Sequence, residues 1–353
     1  MTQTSITRSS AKHVIGRGWQ LSSHVQFSIV IIARRINDYI RDAIPYITAQ
    51  TYRAYEIIIV SEAPETESFA NTRVITSGRA SPAKARNIGA HEAQGAILAF
   101  IDDDAYPAKD WLEKALRDFE DETVGAVGGP SLVPPHATFF QQVSNKVFEL
   151  SSRKTGLRYS RGEKAEIDVW PTCNFFVRKT IFDTLGGFSN KYWGGEDTTF
   201  CYALIKAGVK ILYDPDVVVY HHPRKTFKQH VRQIYFWGLW RSFMMKRHGQ
   251  SVQGMFFAPP LLVAWLVVGA VLCWLWPAFR ILYVASLIIY GVYLIVMGIR
   301  SKSLCLAFPV AVVTSLSHLA YGIGFLRGLA AREEPTQKTL NPGPPTLRGT
   351  GRP

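Results

Sequence analysis

Phe100-Ile101-Asp102-Asp103-Asp104-Ala105-Tyr106-Pro107 is the stretch on which the reading of this chain turns. The apolar run Ala96-Ile97-Leu98-Ala99-Phe100-Ile101 leads straight into three carboxylates and then a proline-containing loop. Adjacent acids at a strand end repel one another unless a cation or strong hydrogen-bond donors neutralise them. Hard oxygen ligands of this kind suit Mg2+ or Mn2+, shared with the phosphates of a substrate. A solvated acidic turn would carry the same three residues, so the surrounding sequence has to decide.

On the N-terminal side, strand-like and helix-like segments alternate. Phe27–Ile32, Tyr55–Val60 and Arg73–Thr76 are short apolar runs rich in β-branched residues, which read as buried strands. Residues 37–51 read as a helix between the first two. Pro82–Gln94 reads as another, with Ser81 as its cap, Pro82 at the first helical position and Gly95 as its stop. Continuous apolar strands alternating with helices imply an α/β domain with a doubly wound, mostly parallel sheet. Ligands of such sheets bind beyond the carboxyl ends of the strands, where the acid triplet sits. Beyond the triplet, strands are expected at Val124–Gly129, Phe175–Val177, Val209–Tyr213 and Val217–His222, with helices at Phe139–Leu150 and Thr198–Ala207.

The C-terminal third has a different character. No Lys, Arg, Asp or Glu occurs in Gly249–Phe279, Ile281–Ile299 or Ser303–Leu326. Each stretch has about 19 residues or more, enough to cross roughly 30 Å of hydrocarbon. Three spanning helices are expected near 257–277, 281–299 and 304–326. Just before them lie Arg224, Lys225, Lys228, Arg232, Arg241, Lys246 and Arg247 with no acid among them, interleaved with aromatic residues. Such a segment, 224–250, suits the headgroup layer of an anionic membrane. The formal charge of +13 on 353 residues is therefore assigned to a membrane face and not to nucleic acid, since no groove-reading motif accompanies it. Residues 1–24 are polar and basic without the apolar core of a signal peptide, so the first domain is expected on the cytoplasmic side of a multi-pass cell-membrane protein. Arg300 and Lys302 in a short loop agree with that orientation. Residues 327–353 read as a disordered Pro/Gly/Thr-rich tail. The four cysteines, Cys173, Cys201, Cys273 and Cys305, show no paired spacing and read as reduced packing residues.

Four pieces in order carry a resemblance. They are Ala83-Lys84-Ala85-Arg86-Asn87-Ile88-Gly89, Asp102-Asp103-Asp104, Gly186-Gly187-Phe188 followed by Gly195-Glu196-Asp197, and Asp214-Pro215 leading to Val219-Tyr220-His221. Together they resemble the A-x-x-R-N-x-G, D-x-D, G-G-F…E-D and terminal histidine of the family-two inverting glycosyltransferases, which have a GT-A fold. The resemblance covers about residues 27–222. With the apolar C-terminal helices, it is similar to the bacterial membrane transferases of exopolysaccharide and lipid-linked glycan assembly. Gln233, Trp237 and Arg241 loosely resemble the Q-x-x-R-W acceptor motif of processive synthases such as cellulose synthase.

The resemblance implies roles. Asp104, with Asp102 and His221, would hold Mg2+ or Mn2+, while Asp102, Asp103 and Arg86 would face a nucleotide-diphosphate sugar, UDP by default. The chain has Ser61-Glu62-Ala63-Pro64 where the family often has a base-recognising Asp, so Glu62 would stand in for it. Asp197 would be the general base on the acceptor hydroxyl, with Glu196 beside it. An acidic first turn of the following helix would explain the same pair. Trp170 and Asn174 would border the sugar, or Trp170 would simply close the core. Arg224 would grip diphosphate or face lipid headgroups. The implied partner is a polyprenyl-diphosphate-linked glycan, with a bare polyprenyl phosphate, a processive synthase, a nucleotidyltransferase and a non-catalytic membrane scaffold as competing readings. The donor sugar, the linkage and the oligomeric state are not specified by these motifs.

Overall fold

A computed structural model describes residues 25–151, 156–190, 194–248 and 254–331. The expected N-terminal tail and most of the expected C-terminal tail lie outside the described residues. The chain divides into two compact units, one ending at Lys225 and the other beginning at Thr226.

In the first unit the elements follow in the order β1 (Phe27–Ala33), α1 (Asp38–Thr48), β2 (Tyr55–Ser61), β3 (Thr72–Thr76), α2 (Pro82–His91), β4 (Ile97–Asp102) and β5 (Ala105–Pro107). Then come α3 (Trp111–Asp118), β6 (Val124–Gly128), β7 (Ser131–Leu132), α4 (Phe139–Ser151), β8 (Ala165–Glu166) and β9 (Asn174–Arg178). The unit closes with α5 (Lys179–Thr184), α6 (Glu196–Lys206), β10 (Lys210–Tyr213) and β11 (Val219–His221). An eight-stranded sheet has the order β3-β2-β1-β4-β9-β6-β10-β8. Strands β1 to β4 pair in parallel, as continuous apolar runs should when both faces are covered. Strand β9 runs antiparallel to both β4 and β6, which makes the sheet mixed.

The capping residues behave as their chemistry requires. Asn37 accepts from Ile40 N at 3.0 Å and Ser81 accepts from Lys84 N at 3.2 Å, satisfying amides that the helix itself leaves unpaired. The two faces of the sheet bury separate apolar clusters. Ile29, Ile57, Trp111 and Phe176 belong to one; Val30, Phe100, Phe182, Phe188 and Phe200 belong to the other.

The segment after the acid triplet is not a free loop. Ala105–Pro107 forms β5 and pairs with β11, and β11 pairs in turn with β7, giving a second, three-stranded sheet. The tight turn Asp103-Asp104 therefore joins the two sheets, and nothing in a six-residue apolar pattern could have signalled that pairing.

The second unit holds α7 (Phe227–His248), α8 (Ala258–Leu275), α9 (Phe279–Arg300) and α10 (Leu304–Ala330). Three helices, Gly254–Leu275, Phe279–Arg300 and Leu304–Ala330, are long and apolar enough to cross a membrane. Arg327 stands in the last turn of α10 instead of opening a disordered tail, because the helix continues to Ala330. Helix α7 lies against α10 through glycines. A Cβ on Gly238 would come 2.2 Å from the Tyr321 carbonyl, and one on Gly324 would come 2.1 Å from the Tyr235 carbonyl. Close backbone approach through small residues is how apolar helices gain contact where hydrocarbon offers no hydrophobic drive.

Candidate active site

The acid triplet occupies the carboxyl end of β4, and three separate motifs converge on it. From α2, Arg86 reaches with one guanidinium nitrogen to Asp102 Oδ1 at 3.0 Å and with the other to Glu196 Oε1 at 2.7 Å. Its side chain is only 8 % exposed, so these are buried, charge-assisted bonds. Burial alone would lower the Arg86 guanidinium; Asp102, Glu196 and Asp197 outweigh that and raise it. The donor-facing role expected for Arg86 thus meets a different geometry, since both of its terminal nitrogens are committed to carboxylates. Burial pushes the Glu196 carboxyl up, against the pull of Arg86.

The remaining acids have different partners. Asp103 Oδ2 accepts from Asn37 Nδ2 at 2.7 Å, so the residue that caps α1 also anchors the middle of the triplet. Burial raises the Asp103 carboxyl to about 6, helped by the charges of Asp104 and Asp102 on either side. Burial works in the same direction on Asp104, but His221 and Arg224 prevail and hold it at about 2. The His221 Nε2 to Asp104 Oδ1 distance is 3.2 Å, and Arg224 donates to Asp104 Oδ2 at 3.3 Å. The His221 ring is raised in turn, because Asp104 outweighs its burial. The β11 to β5 pairing places His221 opposite Ala105 and so delivers the ring to the triplet.

Glu196 and Asp197 open α6, and glycines and Asn87 shape the described residues ahead of it. Gly187 and Gly195 have φ of 70° and 80°, a region that residues with a Cβ rarely occupy. Asn87 donates to the Phe188 carbonyl at 2.8 Å and accepts from the Phe188 amide at 2.9 Å. Asp197 sits at the start of α6, half-buried, with Thr198 N donating to its Oδ1 at 2.6 Å.

Two expectations need correction. Trp170 is 2 % exposed and donates its ring N–H to the Gly129 carbonyl, and Asn174 is 0 % exposed and bonds Trp111, Pro130 and Val217. Both are core residues whose polar atoms satisfy buried backbone, so neither presents an atom to a sugar. Asp214 likewise holds the fold, pairing with Lys164 at 2.9 Å while Lys164 also meets Asp118. Glu62 lies at the carboxyl end of β2, half-buried, and its amide donates to the Ala33 carbonyl. Gln233, Trp237 and Arg241 lie on α7 in the second unit, where Arg241 stacks over the Phe256 ring at 4.3 Å.

The sequence reading missed two participants. Glu65 accepts from Ile36 N at 3.0 Å and Ser61 Oγ at 3.2 Å, pinning the segment after β1 to that after β2. Cys173 immediately precedes β9 and joins Asp102 and His221 in a group whose ligand atoms lie within 4.8 Å of one another. The distance along the chain from Asp102 to Cys173 to His221 gave no spacing to notice.

Residues 28–186, which include the acid triplet at the end of β4, match glycosyl transferase family 2. The chain carries a family-two glycosyltransferase domain. That domain is similar to the pre-mycofactocin glycosyltransferase of Mycobacterium tuberculosis, 27 % identical over 193 residues, 53 % of this chain and 40 % of that protein. This chain thus spans well under half the length of that relative. A transferase of Methanococcus voltae, named dolichyl N-acetyl-alpha-D-glucosaminyl phosphate 3-beta-D-2,3-diacetamido-2,3-dideoxy-beta-D-glucuronosyltransferase, is 21 % identical over 288 residues, 77 % of this chain and 82 % of its own. Among solved structures, the mannosyltransferase PcManGT from Pyrobaculum calidifontis, in complex with GDP-Man and Mn2+, matches with a TM-score of 0.58. It is 17 % identical and covers 93 % of this chain and 94 % of its own, a likeness of fold. The family-two domain therefore has the GT-A architecture.

Proposed function

We propose that the chain is an inverting, metal-dependent glycosyltransferase that moves a sugar from a nucleotide-diphosphate sugar to a polyprenyl-diphosphate-linked glycan at the cytoplasmic face of the cell membrane. The observation that carries it is the convergence on one strand end of Asp102, Asp104 and His221 with Glu196 and, beside it, Asp197. The neighbour PcManGT binds GDP-Man with Mn2+, and the name of the Methanococcus relative specifies a dolichyl-linked acceptor. The three helices long and apolar enough to cross a membrane support the membrane association that such an acceptor demands.

The donor set fits a divalent cation. Asp104 and Asp102 offer carboxylate oxygens and His221 a ring nitrogen, all reachable from the same strand end. Bound there, Mg2+ or Mn2+ would supply the positive charge that the departing nucleoside diphosphate needs. Arg224 would add a second positive charge. Arg86 ties Asp102 to Glu196 and so keeps the donor side in register with the acceptor side. Asp197 removes the proton of the acceptor hydroxyl as the anomeric carbon is attacked. A single displacement of this kind inverts the anomeric centre, since no enzyme nucleophile intervenes.

The test is nucleoside diphosphate release by purified protein with a panel of nucleotide sugars, Mn2+ and membrane lipid extract. Asp197→Asn should lower kcat by about 10²- to 10⁴-fold, the usual worth of a general base, with little change in donor KM. Wild-type turnover in that variant would remove Asp197 from the reaction.

A further inference from the structure

Cys173 lies at the strand ends, and the proposed reaction does not use it. Pairing of β9 with β4 sets Asn174 opposite Ile101, which leaves Cys173 beside Asp102. The second sheet brings His221 to the same place by pairing it with Ala105. One ligand atom from each of Asp102, Cys173 and His221 then lies within 4.8 Å of the other two. We propose that these three residues form a second cation position, selective for a thiophilic divalent ion such as Zn2+ or Cd2+, whose occupation blocks the transferase. The blocking clause rests on the function proposed above; the binding clause does not.

The chemistry of the donor set separates the two positions. Carboxylate oxygens around Asp104 suit Mg2+ and Mn2+, whereas a thiolate with one imidazole and one carboxylate selects zinc-like ions. With Zn–S of about 2.3 Å and Zn–N of about 2.1 Å, donors in a tetrahedral shell stand roughly 3.6 Å apart. Side-chain adjustment of about 1 Å therefore converts the observed cluster into a ligand set, with water as the fourth ligand. The route in is open on one side: the side chains of Asp102 and His221 are 32 % and 21 % exposed, while Cys173 lies behind them and accepts from Ser131 Oγ at 3.5 Å. On binding, the Cys173 thiol loses its proton to water and the sulfur becomes the anionic ligand.

Occupation would dismantle the neighbouring site. His221 now meets Asp104 at 3.2 Å and Asp102 meets Arg86 at 3.0 Å. An ion that draws the ring and the carboxylate toward Cys173 takes both from those partners, and from any hard cation that shares them. The predicted behaviour is inhibition by Zn2+ that competes with Mn2+ and is reversed by a chelator.

The test is titration of the full detergent-solubilised chain with Cd2+, following the ultraviolet thiolate-to-cadmium charge-transfer band. The buried Cys201, whose sulfur bonds the Trp170 backbone, provides the control variant. In a Cys273→Ser, Cys305→Ser background, which removes the two more accessible thiols, the band should saturate with Cys173 present, persist in Cys201→Ser and be lost in Cys173→Ser. Zn2+ inhibition of Mn2+-supported nucleotide release should weaken in Cys173→Ser by more than the roughly 10- to 100-fold that loss of an outer-shell partner costs. A band that persists in Cys173→Ser in that background, or none with Cys173 present, overturns the site. A lost band with unchanged Zn2+ inhibition overturns the blocking role alone. X-ray absorption of the Zn2+-loaded wild type needs no variant: one sulfur in the shell supports the site, and a shell of nitrogen and oxygen only refutes it.

Discussion

Asp103 and Asp104 are chain neighbours with opposite titration, and their partners explain why. Asp104 faces His221 and Arg224 and stays ionised, while Asp103 faces a neutral amide and two other carboxylates. Asp103 titrates near 6 in the fold against an ordinary 3.8, so the folded chain keeps this proton longer than the unfolded chain. Its contribution to stability is then most favourable below pH 3.8 and is lost as pH rises through 6. Asp103→Asn keeps an acceptor for Asn37 and removes the penalty. In metal-free protein it should raise Tm near neutral pH and change it little at about pH 4, by part of the about 3 kcal/mol that a shift of this size represents. Equal shifts at both pH values would contradict the assignment. The residue scale also shows what motif matching alone misplaces: Arg86 was legible as part of a pattern, but its pairing with Glu196 was not.

At the scale of elements, short-range signals and long-range ties divide the work. Ser81-Pro82 announces a helix start from local chemistry, and α2 begins where it indicates. The Gly186-Gly187-Phe188 turn needs a partner from a distant element, Asn87 on α2. Asn87→Ala removes both bonds to Phe188 and leaves that backbone without its partners, at a cost of about 2 kcal/mol. A Tm equal to that of wild type would show that the turn holds itself. In the second unit, Gly324→Val would drive side-chain atoms into the Tyr235 carbonyl and force α7 from α10. Overpacking of this kind costs about 1–3 kcal/mol, which thermal denaturation in detergent would read as a lower Tm. An unchanged Tm would mean that the two helices shift without loss.

At the scale of the whole molecule, a polar catalytic domain and an apolar helical unit share one chain. The +13 charge fits an anionic membrane surface, where each Lys or Arg near the headgroups is worth about 1 kcal/mol. Nucleotide release should therefore depend on added lipid and fall as salt rises. Chelation should abolish turnover and Mn2+ should restore it; activity that persists after exhaustive chelation would exclude the proposed role of the cation. Both measurements use the intact chain, because acceptor and catalytic residues are expected to meet only at a membrane.

Local pattern was enough for most of the first unit and for the apolar helices. Periodicity, capping residues and charge-free length are properties of neighbouring residues, and they sufficed for β1 to β4, for the helices between them and for three membrane-length spans. Ordered motifs singled out Asp102, Asp104, Glu196, Asp197 and His221 as candidates. Tertiary structure alone decided which of these meet, because the antiparallel β9 and the small second sheet join residues far apart in sequence. It buried Trp170 and Asn174, turned Arg86 toward two carboxylates and set Cys173 beside Asp102. Burial and cross-strand neighbours are set by packing over long sequence separations, and no local periodicity encodes them.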